Sequence, residues 1–254
     1  MSINFEGHGK QIATVYTPDN EAVKYVYIGE EEEGCIDKVR LNDDTAFFPS
    51  ITDFEEEDQV DRIYVAGETG SGKSTFIRQY VGHFLQQYPK ASILLFSSKN
   101  EDKVLDDIKK IIRVKIDDDI HVNPYTLKEI SSNTKPTLTI FDDCEDFQNR
   151  KILSEVARLR DEILRNGRSY GIYSIFVRHN PTDYKATRNC IFEANKVVIF
   201  PKRSGKGTYN YLMEKKLLIS KDDMALINNL KSNFVCINKQ NPKCIISDRY
   251  IMVC

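Results

Sequence analysis

Gly67, Gly70, Gly72, Lys73 and Ser74 fall into the spacing G-x-x-x-x-G-K-S. Each residue type has a chemical use at its place. Glycines let successive backbone N–H groups turn inward around an anion, and a lysine adds a point charge that reaches β- and γ-phosphates. The hydroxyl beside that lysine is a ligand for Mg²⁺. The chemistry implied is capture of the phosphate chain of a nucleoside triphosphate, with Gly67, Glu68, Thr69, Gly70, Ser71, Gly72, Lys73, Ser74 and Thr75 as the cradle. Such a loop needs a strand before it and a helix after it. Ile63–Ala66 is a short apolar run, as a buried strand requires. Phe76, Ile77, Tyr80, Val81, Phe84, Leu85 and Tyr88 then recur every three to four residues, which predicts a helix over Gly72–Tyr88 that Pro89 stops. The positive end of that helix adds to the pull on phosphate. A chance glycine-rich turn would not carry both flanks.

A second constellation lies downstream. The apolar run Thr137–Phe141 ends in Asp142-Asp143. An acidic pair is also common where a strand simply turns, but after a phosphate loop it fits a metal-and-water role. Asp142 is expected to join Ser74 in holding Mg²⁺, and Asp143 to orient or deprotonate the attacking water. Glu145 and Asp146 are alternatives for that base. The strand-like run Ile172–Val177 is followed by Arg178, His179 and Asn180. A polar residue there can sense the γ-phosphate, and Asn180 or His179 could serve, although a lone histidine at a strand end is more often structural. Arg150, Arg158, Arg160, Arg165 and Arg168 lie on or just past one predicted helix. Arg158 with Glu162, and Asp161 with Arg165, stand four apart, so self-paired surface charge is the default. Arg168 and Arg188 are the candidates for an arginine donated to a neighbouring subunit's phosphates. Lys202, Arg203 and Lys206 form a basic, glycine-containing loop that either faces DNA or is merely solvated.

Composition narrows the class. The 254 residues suit one large domain, or one with a small appendage, and 41% hydrophobic content suffices for a core. The formal net charge is -2, so any nucleic-acid role must rest on a local basic surface. Cys35, Cys144, Cys190, Cys236, Cys244 and Cys254 are scattered without a C-x-x-C pair and read as reduced thiols of an intracellular protein. A signal-peptide core and an apolar run long enough to span a bilayer are both missing from the sequence.

The elements that must hold these residues can be placed in order. Lys10–Thr17, Val23–Ile28, Val39–Leu41 and Phe47–Ile51 are β-prone runs interrupted by the acidic turn at 30–34, and they predict a small antiparallel element over residues 1–60. A nucleotide-binding domain over 61–254 follows. Its expected strands are Ile63–Ala66, Ser92–Ser98, Thr137–Phe141, Ile172–Val177 and Lys196–Phe200, with a short one at Val114–Ile116. Helices are expected at Lys103–Ile112, Asn123–Ser131, Arg150–Asn166, Thr187–Glu193, Gly207–Leu217 and Asp222–Leu230, and a terminal hairpin within Asn233–Val253. Alternating strands and helices predict an α/β fold of three layers around a mostly parallel sheet. Both constellations would then meet at the carboxyl edge of the strands.

Taken together, AGETGSGKST, TLTIFDDCEDF, RNGRSYGIYSIFVRHNP and ATRNCIFEANKVVIF resemble the genome-packaging ATPases of the large nucleocytoplasmic DNA viruses. That poxvirus-type group lies within the FtsK–HerA branch of P-loop ATPases. The resemblance covers about residues 62–200. In the family a Gln-containing Thr-Ser-Gln follows the fourth strand, where this chain has Arg178-His179-Asn180, and its Arg-His is here Arg168-Ser169. The resemblance implies ATP and Mg²⁺ as ligands and a homo-oligomeric ring of five or six subunits. It also implies double-stranded DNA and capsid or portal vertex proteins as partners, and a place at viral factories in the host cytoplasm or in the virion.

Other classes fit less well. A nucleoside or nucleotide kinase needs an arginine-rich lid, for which only Arg203–Gly207 offers itself. A GTPase needs Asn-Lys-x-Asp, whereas the chain has Asn238-Lys239-Gln240-Asn241. A transporter-type ATPase needs a Ser-Gly-Gly signature, which is missing. A ring protein that binds ATP only to assemble predicts nucleotide-dependent oligomers without turnover. Lys73→Ala is expected to abolish nucleotide turnover in a steady-state phosphate-release assay, and an unchanged rate would remove Lys73 from its role.

Overall fold

The computed structural model describes residues 1–30, 36–116, 125–132, 136–144, 149–179, 184–203, 205–229 and 232–254. In chain order its elements are β1 (Ser2–Asn4), β2 (Lys10–Tyr16), β3 (Ala22–Gly29), β4 (Lys38–Arg40), β5 (Ala46–Pro49), α1 (Phe54–Glu57), β6 (Arg62–Ala66), α2 (Lys73–Gln87), β7 (Ser92–Ser97), β8 (Ile111–Lys115) and α3 (Leu127–Ser132). Then come β9 (Thr137–Asp142), α4 (Arg150–Asn166), β10 (Ile172–Arg178), α5 (Tyr184–Glu193), β11 (Lys196–Ile199), α6 (Lys206–Asn210), α7 (Lys221–Asn229), β12 (Val235–Asn238), β13 (Cys244–Ser247) and β14 (Tyr250–Val253). Internal contacts divide the chain into two compact units, one of residues 51–194 and one of 1–50 with 195–254. The sequence reading cut the chain at 60 instead. The difference has a physical source: β14 pairs antiparallel with β4, Tyr250 opposite Arg40, so the end of the chain completes strands begun near its start.

In the unit of 51–194, five strands lie parallel in the order β6-β10-β9-β7-β8. Every residue of β9 and of β10 is buried. Successive side chains of a strand point to opposite faces, so both faces of the sheet are covered, which is the normal state of a parallel sheet. That is why TLTIF and IYSIFV are continuous apolar runs rather than alternating ones. Helix α4 turns Ile152, Val156, Leu159, Ile163 and Leu164 inward. Each such side chain contributes roughly 1.5–3 kcal/mol through burial. Asn149 caps its start by accepting the Lys151 N–H.

Three expected helices differ from those observed: the one expected at Asn123–Ser131 begins only at Leu127, with 123–124 outside the described residues, and two others differ more. Over Lys103–Ile112 the chain forms turns and then enters β8. Asp102 Oδ1 accepts the N–H groups of Val104 at 2.8 Å and Leu105 at 3.1 Å, closing a turn there. The β-branched Ile111, Ile112 and Val114 then pair with β7, Ile93 opposite Ile111. The expected helix Gly207–Leu217 begins as α6 and widens into a π-helical stretch, Tyr211–Lys216. The unit of 1–50 and 195–254 holds an antiparallel sheet β1-β3-β2-β5 and an antiparallel run β4-β14-β13-β12-β11. Its terminal part is three strands, β12 to β14, where the sequence suggested a hairpin.

A buried polar network fixes the base of the parallel sheet. The Asp61 carboxylate accepts the Tyr80 hydroxyl at 2.8 Å and the Thr52 hydroxyl at 2.6 Å, and Tyr173 Oη donates to the Thr52 carbonyl at 2.6 Å. These bonds tie α2 and β10 to the segment that enters β6. Burial, then the charge of Asp61, drives the Tyr80 phenol well above its ordinary pKa, so it stays a donor. Tyr80→Phe leaves a buried carboxylate oxygen short of its donor and is expected to cost about 1–3 kcal/mol. A lower denaturant midpoint at unchanged slope is the readout.

Candidate functional site

Strand register builds the site. Ala66 lies opposite Arg178 on β10, Phe176 opposite Phe141 on β9, and Asp142 opposite Ser97 on β7. The residues that follow these strand ends, Gly67 to Ser74, His179, Asp143 and Lys99, therefore share one edge. Gly67 N–H also donates to the Arg178 carbonyl at 3.1 Å, pinning the loop to the strand beside it.

The loop has the shape its glycines allow. Gly70 sits at φ +74° and Gly72 at φ +111°, in the region where a Cβ is strained. Gly72 caps α2 with no side-chain bond. The Gly72 carbonyl takes the Phe76 N–H at 3.0 Å, and Gly72 offers no side-chain acceptor to the amides before Phe76, the arrangement that suits an anion. The buried Ser71 hydroxyl has no hydrogen-bond partner. Lys73 turns back on its own loop, donating to the Gly67 carbonyl at 2.8 Å and the Glu68 carbonyl at 2.9 Å. These are features of an anion cradle: a helix start without a side-chain cap, an orphan hydroxyl and a buried ammonium held, among the described residues, by carbonyls and a histidine. The residues present fit a phosphate chain.

The acidic side fits a magnesium ion carried with those phosphates. Ser74 Oγ donates to Asp102 Oδ2 at 3.2 Å, which leaves its lone pairs for a cation. Asp142 is 5% exposed, and burial, then the charge of Asp143, pushes its carboxyl above the usual range. Among the described residues no three His, Cys, Asp or Glu side chains form a ready-made cation cage. Two protein ligands with the remainder from phosphate and water is the ordinary way Mg²⁺ is held.

His179 joins the two halves. Its Nδ1 lies 3.2 Å from Lys73 Nζ and 3.3 Å from the Thr69 hydroxyl, and its Nε2 lies 2.5 Å from Asp143 Oδ1. An ammonium can only donate, so Nδ1 accepts and the proton sits on Nε2, which lies close to Asp143 Oδ1 without the alignment of a hydrogen bond. Asp143 itself sits at φ +52°, where aspartate is tolerated better than most residues, and Ser98 Oγ donates to its carbonyl at 2.7 Å. Burial lowers the Lys73 pKa, while Asp142 and Asp143 pull the other way.

The other expected residues fall elsewhere. Arg168 is exposed in the turn Gly167–Tyr170 that precedes β10. Seven residues of strand, about 20 Å at ~3.3 Å each, separate it from His179. It cannot reach the phosphate loop of its own chain. Arg188 is exposed on α5. Arg158 pairs with Glu162 at 3.0 Å as expected, whereas the Asp161 carboxylate takes Arg160 and Asn189 and Arg165 Nε donates to the Asp161 backbone carbonyl at 3.1 Å. Lys202 and Arg203 are exposed in the unit of 1–50 and 195–254. Asn180, Glu145 and Asp146 lie outside the described residues.

Sequence reasoning missed Lys99 and Asp102. Lys99 makes a close ion pair with Asp143 and lies 3.7 Å from Asp142 Oδ2. The signal was available in principle: Lys99 and Asp102 follow the buried run SILLFS, whose end must share the edge of its parallel neighbours.

Comparison with known proteins bears on this geometry. No family model matches the sequence. Over 182 residues the chain is 32% identical to the uncharacterized protein V3 of Sputnik virophage, covering 71% of each protein. Its fold is similar to that of B204, the DNA-packaging ATPase from Sulfolobus turreted icosahedral virus, with a TM-score of 0.52 and 18% identity over 74% of this chain and 96% of that one. It is also similar to TcpA, the pCW3 conjugation coupling protein, with a TM-score of 0.51 and 14% identity over 89% of this chain and 73% of that one. Among the described residues no helix is long and apolar enough to cross a membrane. The chain thus belongs to the family of the Sputnik virophage protein V3, on an α/β fold similar to that of B204 and TcpA.

Proposed function

We propose that this chain is the ATP-hydrolysing subunit of a motor that drives double-stranded DNA into a preformed capsid. The observation that carries the reading is the meeting of Lys73, Asp142, Asp143 and His179 at one sheet edge. In this reading Lys73 exchanges the Gly67 and Glu68 carbonyls for β- and γ-phosphate oxygens. Ser74 and Asp142 hold Mg²⁺, which neutralises phosphate charge when bound. Asp143 orients the attacking water or takes its proton, with His179 Nε2 close beside it. Arg168, far from its own loop, serves the site of a neighbouring subunit in a ring of five or six, with Arg188 the alternative donor. The fold shared with a DNA-packaging ATPase and the virophage relative support this direction. In this reading capsid or portal vertex proteins are the partners, and the viral factory or virion is the place of action.

The test is steady-state ATP hydrolysis with and without linear double-stranded DNA at two salt concentrations. Stimulation that fades as salt rises is expected of a motor that grips the phosphate backbone. Hydrolysis indifferent to DNA would overturn the motor and leave an ATPase, and no hydrolysis at all would favour a subunit that binds ATP only to assemble. Asp143→Asn is expected to keep Mg²⁺-ATP binding while slowing hydrolysis by about 10²–10⁴-fold, the range of a lost general base. If that variant cannot bind Mg²⁺-ATP, the roles of Asp142 and Asp143 are wrongly divided.

A further inference from the structure

Two residues past the end of β7, Lys99 reaches across the carboxyl edge to the acidic pair. Its ammonium forms a close ion pair with Asp143 Oδ2 and stands 3.7 Å from Asp142 Oδ2. Ser98 Oγ donates to the Asp143 carbonyl, and His179 Nε2 lies close to its second carboxylate oxygen, which has no aligned hydrogen-bond donor among the described residues. The Ser74 hydroxyl is occupied with Asp102. The oxygens suited to a divalent cation thus already have a positive charge beside them, and that charge belongs to the chain. Asp142 is 7% exposed at its side chain and Asp143 11%, so without a cation two adjacent carboxylates would face each other largely out of water. Lys99 is 43% exposed and sits on a flexible stem, so it can swing into solvent without disturbing the strands.

We propose that Lys99 is a resident counter-cation: it holds the Asp142–Asp143 pair while no metal is present, and it must withdraw before a divalent ion can settle on Asp142. This rests on the reading of Ser74 and Asp142 as metal ligands and adds an order to it. The free ion competes poorly with a tethered ammonium. An ion that arrives with a phosphate chain brings further ligands and displaces Lys99. The site therefore admits metal with nucleotide rather than metal alone.

The experiment is a titration of the full chain with Mn²⁺ alone, without nucleotide, reading free Mn²⁺ by electron paramagnetic resonance. If Lys99 leaves the site open about a tenth of the time, the unaltered protein binds about tenfold more weakly than an open site would. Lys99→Met and Lys99→Gln are both expected to tighten Mn²⁺ binding by that factor, and Lys99→Arg, which keeps the charge, to leave it weak. Equal affinity in the unaltered protein and in Lys99→Met and Lys99→Gln, with Asp142→Asn still weakening binding, would overturn the proposal and keep the metal site. Binding that Asp142→Asn leaves untouched would overturn the metal assignment itself, and the role of Lys99 with it.

Discussion

Parallel pairing is the constraint from which the site follows. Strands that run the same way must end at the same edge, and here β6, β10, β9 and β7 do so within one residue of register. A loop after β6, an acidic pair after β9, a histidine after β10 and a lysine after β7 then have no choice but to meet. The same constraint requires the strands to be covered on both faces, and the continuous burial of β9 and β10 satisfies it. Below the sheet, the Asp61 network ties the entry of β6 to α2 and β10, so the loop between β6 and α2 is held at both ends.

The electrostatics of this edge is a balance of groups that would each be unfavourable alone. Burial works against the charge of Lys73 and against the charge of Asp142; Asp142 and Asp143 oppose it at Lys73, and Lys99 and His179 oppose it at Asp142. Burial also works against Lys99, but its hydrogen bond to Asp143 and the charges of Asp142, Asp143 and Asp102 outweigh it and raise its pKa. With two carbonyls and one imidazole on Lys73 among the described residues, the phosphate loop is closed on itself, whereas the acidic side is closed by Lys99. Two internal contacts thus occupy the two places proposed for a triphosphate and its metal.

Much of this was legible in the sequence because it rests on local rules. Helix α4 begins and ends where its period of apolar residues does, and the phosphate loop declares itself by spacing alone. The strands TLTIF and IYSIFV are readable because burial on both faces removes alternation. What stayed hidden depends on contacts across the chain. Residues 103–112 carry a helix-like apolar spacing, but Asp102 closes a turn and β7 recruits Ile111 into the sheet, so pairing overrides local pattern. Lys99 and Asp102 have no motif, and only the register of β7 against β9 reveals their place. The partnership of β14 with β4 joins residues from opposite ends of the sequence, which no window of neighbours can show.

The pairing of β6 with β10 also sets a schedule for the newborn chain. Arg62 pairs with Ser174, so 174 − 62 = 112 residues must be made after the first strand of the site before its neighbour on that side exists. At ~5–20 residues per second, ribosomal synthesis takes roughly 6–22 s to cover that distance. For that interval the apolar run Ile63–Ala66 has been synthesised without the strand that will shield one of its edges. The side of the sheet that carries the phosphate loop is thus completed late, and a chaperone that binds short extended apolar segments would find its target in the opening seconds of this protein's life.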